Sequence, residues 1–377
     1  MKILFTGGDS GGHFTPIIAV AEAIQEIQDV RKLVEIKMYY MSNKPYDRRA
    51  LFELGITYRF VPSGKKRPGF SIRNFVDSIK IMFGAMIASW RLFLIYPDVV
   101  FGKGGGASLT TLMAARLLRI PVFIHESDTY PGRVNQWAGK FARRIAIAAP
   151  EAAQYFPKDR TALVGIPVRR VIREPLSEGA YEFLKLEKGT PTILILGGSQ
   201  GALNMNNVVV DVLPYLLNSY QVIHQTGAGK IADTKLRADF VLEQHPLKNR
   251  YRVFEYLNVT ALRMSAGVAN LVVTRGGNTS IFEIAGWGVP SIIVPMDEDY
   301  SVGDHQRKNA YSYARGGGAV VIEDKNLHPT ILRSEIDRIL TNPELAKKMG
   351  ESARLSATPN ASHQVAEELI KIALEHE

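Results

Sequence analysis

The sequence predicts an α/β protein of two nucleotide-binding-type domains, each a doubly wound parallel sheet. Three observations predict it. Twice a short aliphatic run breaks into a glycine-rich turn that opens a helix: KILFT into GGDSGGH at residues 2–13, and TILIL into GGSQGA at 192–202. Around both turns, aliphatic runs alternate with segments of helical period, as in parallel strands covered on both faces. A chain of 377 residues also exceeds what one hydrophobic core usually organises.

In the first half, strands are expected near 2–6, 34–40, 57–61, 97–101, 121–125, 144–148 and 161–164, with helices over 16–28, 47–54, 71–95 and 108–118. The pattern restarts with strands near 192–196, 220–224, 251–254, 270–274, 290–295 and 318–322. Prolines, charges and glycine crowd GIPVRR…KLEKG at 165–190, which places the boundary there: a first domain over 1–165 and a second over 166–356. The last helix, near 360–375 after Pro359, is expected to pack back on the first domain as part of a 357–377 segment. Because turn amides at a helix N-terminus favour anions, function is expected between the two domains. Neither turn spells G-x-G-x-x-G or a Walker sequence, so hydride transfer and P-loop hydrolysis are disfavoured and a donor carrying a diphosphate stays open.

With no cysteine, the chain has no disulfide framework, no thiolate metal site and no cysteine nucleophile, which fits a reducing compartment. The strand pattern begins directly at Met1, so no secretory leader is expected. A net charge of +9 suits nucleic acid, an anionic membrane surface or a multiply anionic substrate. Nucleic acid is set aside: zinc-finger spacing, an RNP-like aromatic strand and a long basic tail are all missing from the sequence. Between Ile79 and Phe101 an apolar run is interrupted by Arg91 and closed by Pro97-Asp98. It is expected to fall short of the ~20 residues a membrane span requires. Just upstream, Lys65, Lys66, Arg67, Arg73 and Lys80 surround Phe70, Ile72, Phe75 and Val76. That mixture is what an interfacial helix rests on anionic lipid, although a buried helix with a solvated basic loop has the same pattern.

His13 closes the first glycine turn, and its near-neutral pKa suits a base for a sugar hydroxyl; a purely structural ring bonded to a loop carbonyl is the alternative. Asp128, in IHESDTYPG beside His125 and Glu126, follows a strand and would face a ligand crevice, either assisting or replacing His13 or simply capping a loop. Ser199 and Gln200 would present the second turn to a diphosphate, and Arg169 could add a charge-assisted contact. Downstream, over 270–310, a strand ends at Thr274 and the following helix carries Glu283, whose carboxylate suits the vicinal hydroxyls of a ribose. Gln306 could read a sugar hydroxyl. The triplet Asp297-Glu298-Asp299 reads as a solvated loop rather than a metal clamp, and neither a metal nor another cofactor is expected.

At these residues the chain resembles the MurG family of glycosyltransferases. The likeness runs in order through GGDSGGH, KKRPGFSIRNF, PDVVFGKGG, HES-D, PGRVN, GIPVR, GGSQGALN, HQTG, the RGG-to-EIA segment and DHQRKNA, and so spans nearly the whole chain. The resemblance implies the GT-B architecture, two Rossmann-like domains facing across a cleft. It implies transfer of N-acetylglucosamine, with inversion and without a metal, from UDP-GlcNAc to the C4 hydroxyl of a lipid-linked muramoyl-pentapeptide. It also assigns the 65–80 region to a peripheral contact with an anionic membrane surface, at the cytoplasmic face of the plasma membrane.

Carried over by position, the resemblance has Arg169 and Ser199 touch the diphosphate, with Gln200 in the same turn. Leu257 meets the uracil through its backbone and Glu283 meets the ribose, while Gln306, Asn278 and Thr279 border the GlcNAc. Arg275, in the RGG of the same segment, joins the donor set. His13 and Ser10 sit in the acceptor-side loop, Ser10 as a further donor contact and His13 as proton acceptor or its organiser. The chain departs from the family at Asp9, an insertion, and at Gly106, Asp128 and Ile166, where an aromatic and two asparagines are usual. An ionised Asp128 would favour the imidazolium of His13, so either residue could take the proton. A transferase acting on another glycolipid, a UDP-sugar 2-epimerase and a non-catalytic sugar-nucleotide or membrane-binding module remain as other readings.

Overall fold

The computed structural model describes residues 1–8, 10–64, 72–198, 201–297 and 304–375, with the backbone alone at 72–76. Lys65, Lys66, Arg67, Phe70, Ser199, Gln200, Glu298, Asp299 and the Asp9 insertion lie outside the described residues, as do the side chains of Arg73 and Phe75. The chain divides into two compact units, Met1–Arg169 with Thr358–Glu377, and Arg170–Ala357.

In the first unit seven strands form one sheet: β1 (Lys2–Thr6), β2 (Lys37–Ser42), β3 (Thr57–Phe60), β4 (Val99–Gly102), β5 (Val122–Glu126), β6 (Arg144–Ile147) and β7 (Thr161–Leu163). They pair in parallel in the order β3-β2-β1-β4-β5-β6-β7. Period-two alternation sends Ile3, Phe5, Val99 and Phe101 into a core beneath the helix Gly11–Arg31. Leu4, Val100, Val122 and Ile124 go to the opposite core, under Ala88, Leu92 and Leu112. Burial on both faces is why these strands read as unbroken aliphatic runs. The closing helix Ala361–Leu374 adds Val365, Leu369 and Ile370 to the first of those cores.

The second unit repeats the design with β8 (Thr192–Leu196), β9 (Gln221–Gln225), β10 (Tyr251–Phe254), β11 (Ala269–Thr274), β12 (Ser291–Ile293) and β13 (Ala319–Val321). All are parallel, in the order β10-β9-β8-β11-β12-β13. This is the doubly wound order, which reverses between β8 and β11 and leaves a crevice beyond their carboxyl ends.

Residues 166–169 differ from the expected division: they belong with the first unit. Val168 accepts a hydrogen bond from Ser362 Oγ, and Arg169 is ion-paired to Glu22 on the helix Gly11–Arg31. The departing and returning chains cross at Gly165, where a Cβ would lie 2.2 Å from Thr358 Oγ1, so only glycine fits. The apolar run after Ile79, expected to fall short of a span, is longer than that. One helix runs unbroken over Ile72–Ile95, and its Asp77–Ile95 stretch is long and apolar enough to cross a membrane by length and composition alone. A lone arginine costs a helix little, and the helix stops just before Pro97, where it was expected to.

Candidate functional site

In the first unit the glycine turns after β1 and β4 interlock. A Cβ on Gly8 would sit 2.7 Å from His13 Cδ2, and one on Gly105 would lie 3.0 Å from Gly8 Cα, so bare backbone lets the His13 ring lie across both turns. Ser10 is the N-cap of the helix Gly11–Arg31; its carbonyl accepts the N–H groups of His13 and Phe14, fixing where the ring starts. His13 Nδ1 lies 3.3 Å from the carbonyl oxygen of Lys103, just past β4. A carbonyl only accepts, so Nδ1 carries the proton in this contact and Nε2 holds the lone pair that a base needs.

The loop after β5 is organised by a buried carboxylate. Glu126 accepts hydrogen bonds from the Asp128 N–H at 2.9 Å, the Gly132 N–H at 3.1 Å and Asn135 Nδ2 at 2.9 Å. Burial, and then the charge of Asp128, push its pKa up to about 7. Lys103 is 2% exposed, and its ammonium donates to Ser127 Oγ. Burial lowers its pKa to about 8, against the pull of Glu126 and Asp128. His125 is held well below the usual histidine range by burial and then by Lys103, and Nε2 donates to the Gly165 carbonyl at 2.7 Å. It stays neutral.

In the second unit Leu257, Arg275, Asn278 and Thr279 follow the carboxyl ends of β10 and β11. Gly198 and Gly201 take positive φ, and a Cβ on Gly227 would lie 2.2 Å from Gly201 N, so the turn after β8 nests on the turn after β9. Behind it runs a buried relay: Tyr251 donates to His224 Nδ1 (2.9 Å), His224 Nε2 donates to Asn206 Oδ1 (3.1 Å), and Asn206 Nδ2 donates to the Thr226 carbonyl (3.0 Å). Lys230 lays its stem against Gly201, where a Cβ would meet its Cγ at 2.9 Å. The helix Asn278–Trp287 starts at the end of β11 with Asn278 and Thr279 in its first turn and Glu283 further along. Its N-terminal amides, like those of the glycine turn, are of the kind that favours an anion.

Some expected contacts have other partners. Arg169 Nε and a terminal guanidinium nitrogen both reach Glu22 Oε1 at 2.7 Å, within the first unit. Arg275 is paired with Asp324 at 2.6 Å and also donates to the Val294 carbonyl. The N–H of Leu257 is taken by Gln225 Oε1. Gln306 Oε1 accepts the Met296 N–H, tying the helix His305–Arg315 to the segment after β12. Sequence reasoning gave no role to Lys103, Asn135, Asn206, His224 or Lys230, although PDVVFGKGG, PGRVN and HQTG hold the first, the second and His224.

The helix Ile72–Ile95 is amphipathic in an unusual sense. At 100° per residue, Ile79, Met82, Phe83, Met86, Trp90, Phe93 and Leu94 fall within an arc of roughly 120°. All seven are exposed, Trp90 by 64%. Gly84, Ala88 and Leu92 lie on the buried side. There a Cβ on Gly84 would come 2.0 Å from the Pro62 carbonyl oxygen, so the helix is seated tightly on its unit.

Comparison with known proteins agrees with this geometry. Residues 3–147 match the glycosyltransferase family 28 N-terminal domain and residues 192–365 the glycosyltransferase family 28 C-terminal domain. The chain is 34% identical, over 92% of its length and 93% of the relative's, to a UDP-N-acetylglucosamine–N-acetylmuramyl-(pentapeptide) pyrophosphoryl-undecaprenol N-acetylglucosamine transferase of Bacillus cereus. Proteins of that name from Shouchella clausii and Thermodesulfovibrio yellowstonii share 36% over 90% of both chains and 32% over 97% of both. The crystal structure of Acinetobacter baumannii MurG superposes with a TM-score of 0.72 at 24% identity, covering 98% of this chain and 99% of that one. A Neisseria meningitidis UDP-GlcNAc 2-epimerase bound to UDP-GlcNAc reaches 0.68 at 14% identity, covering 98% and 100%; both likenesses speak to the fold, which is GT-B. With both family domains matched in order and curated relatives above 30% identity along nine-tenths of the chain, this protein belongs to glycosyltransferase family 28 and, within it, to the MurG family of N-acetylglucosamine transferases.

Proposed function

We propose that this chain transfers N-acetylglucosamine from UDP-GlcNAc to the C4 hydroxyl of undecaprenyl-pyrophosphoryl-N-acetylmuramoyl-pentapeptide, with inversion at the anomeric carbon, as a step of peptidoglycan synthesis. The observation that carries the reading is the identity to enzymes named for that reaction, 34–36% over 90–92% of the chain.

The second unit binds the donor. The amides of the turn around Ser199 and Gln200, backed by the Asn206–His224 relay, face the diphosphate, and Glu283 accepts hydrogen bonds from the ribose hydroxyls. The Leu257 backbone meets the uracil, through its carbonyl now that Gln225 holds its N–H. Asn278, Thr279 and Gln306 border the sugar. Preorganised amides, joined by Lys230 whose stem lies against Gly201, then stabilise the charge that develops on departing UDP, an effect often worth several kcal/mol. Arg169 and Arg275 serve at one remove, since both guanidiniums are committed to carboxylates. The first unit brings the acceptor, and His13 Nε2 or Asp128 takes the C4 hydroxyl proton as that oxygen attacks the anomeric carbon.

The exposed arc of the helix Ile72–Ile95 lies against the anionic cytoplasmic face of the plasma membrane, as a peripheral contact rather than a span. A span requires apolar surface all round, whereas this helix buries Gly84, Ala88 and Leu92 in its own unit. The upstream Lys65, Lys66, Arg67 and Arg73 add charge attraction. The same arc argues against a UDP-sugar 2-epimerase, whose substrate needs no lipid surface.

The test is turnover of radiolabelled UDP-GlcNAc by purified protein with a short-chain lipid-linked muramoyl-pentapeptide. UDP release matched by labelled lipid supports the reading. Release of UDP without labelled lipid, or epimerised UDP-sugar in the absence of acceptor, overturns it.

A further inference from the structure

Lys103 is a lysine where the fold has no need of one. It sits directly after β4, 2% exposed, between the Gly102 that ends the strand and Gly104 at φ +84°. Its backbone carbonyl holds His13 Nδ1, and its ammonium donates to Ser127 Oγ. Burying an ammonium is costly unless something nearby requires its charge. An opposite charge that acts on it is Glu126, one residue before Ser127. Three N–H donors converge on this buried carboxylate, from Asp128, Gly132 and Asn135. An ionised carboxylate accepts all three; a protonated one turns one oxygen into an O–H that faces donors and lets the loop go.

We propose that Lys103 is a positioning residue: its buried ammonium supplies the counter-charge that keeps Glu126 an acceptor of three N–H groups, and so holds the loop 127–132, with Asp128, in place for the acceptor. The deduction rests on the glycosyl-transfer reading for its catalytic consequence, and on the loop geometry alone for its structural one. Glu126 is poised for such control, because burial already brings its proton affinity to about 7 while Lys103 opposes the rise. The charged and titratable groups around it are Lys103 beyond β4, Asp128 in its own loop and His125 beside it on β5; Asn135, from the helix Arg133–Ala138, is neutral. His125 stays uncharged through the relevant range, so it does not share the titration.

The test is amide hydrogen exchange of peptides spanning 127–135, corrected for the intrinsic pH dependence of exchange, in the parent, Lys103→Met and Lys103→Arg proteins between pH 5.5 and 8.5. In the parent, protection of this loop falls as pH drops through about 7. In Lys103→Met the fall moves to higher pH by about one unit, since losing a nearby opposite charge raises a carboxyl's proton affinity by that order. Lys103→Arg, which keeps the charge, stays near the parent. The acidic limb of the pH–rate profile shifts with the loop in Lys103→Met, while the KM for UDP-GlcNAc is unchanged. Loop protection with the same pH dependence in the parent and Lys103→Met overturns the proposal, as does a loss that is uniform across pH. If Lys103→Met does not fold, Glu126→Gln decides: the pH dependence of loop protection disappears, and its persistence overturns the proposal. Absence of glycosyl transfer by the parent protein contradicts the functional reading alone, because the exchange result stands without it.

Discussion

At the residue scale, placement was legible where the pattern is local. A histidine after GGDSGG and a glutamate in the helix after a strand take the places their motifs predict, His13 in the first turn of the helix Gly11–Arg31 and Glu283 in the helix Asn278–Trp287. Residues whose partners are distant in sequence were not legible. Arg169 reads as a phosphate ligand from its motif, yet Glu22, 147 positions earlier, holds both of its reaching nitrogens. Lys103 stands in the sequence only as part of PDVVFGKGG, and only the fold shows it enclosed beside Ser127. The Arg169–Glu22 pair yields a direct check. Both side chains are about three-quarters buried, so breaking the pair should cost about 1–3 kcal/mol, more than an exposed ion pair. Arg169→Ala and Glu22→Ala are therefore expected to lower the urea midpoint alike, and the double variant no further than either. A midpoint unmoved by Arg169→Ala, with turnover lost, would restore Arg169 to the diphosphate.

At the element scale, strand and helix periodicity carried almost the whole layout, because strands buried on both faces leave long aliphatic runs between glycine turns. The exception is instructive. The helix Ile72–Ile95 follows a helical period, but the period alone does not say which side is wet. Its small residues Gly84 and Ala88 face inward and its largest apolar residues face outward, the reverse of an ordinary surface helix. The sequence signal for this is the placement of glycine and alanine opposite Trp90 and Phe93. Replacing the outward pair, Trp90→Ser with Phe93→Ser, should weaken binding to vesicles of anionic phospholipid by about one to two orders of magnitude, at about 1.5–3 kcal/mol per fully buried side chain discounted for partial immersion. Thermal stability should hold, since neither ring is in a core cluster. Unchanged vesicle partitioning by co-sedimentation would remove the helix from the membrane contact.

At the scale of the whole molecule, two Rossmann-like units of the same design bury different polar groups, Lys103 with Glu126 and its donors in the first and the Asn206–His224 relay in the second. Each also carries one buried neutral histidine, and these link stability to pH. His224 has its pKa lowered to about 3 by burial, and His125 is lowered in the same direction. In the unfolded chain both take up a proton near pH 6.5, which the folded chain refuses. The unfolded state thus binds more protons below that pH, so this stability is complete above about 6.5 and is lost as pH falls toward 3. Glu126 works in the opposite sense between its ordinary value and about 7, where the folded state holds the extra proton. Denaturant midpoints are expected to fall between pH 6.5 and 5, with His224→Gln removing close to one proton from the slope. An identical slope in that variant would mean that burial does not keep His224 neutral.

Most directly, the central claim is a location: the nucleotide of the donor held by the second unit at the carboxyl edge of its sheet. A crystal of the protein soaked with UDP decides it. Density is expected with the diphosphate against the Gly197–Ala202 turn, the ribose hydroxyls on Glu283 and the uracil at Leu257. UDP bound anywhere else, or crystals that stay empty at concentrations that sustain turnover, would contradict the assignment of the donor to this edge.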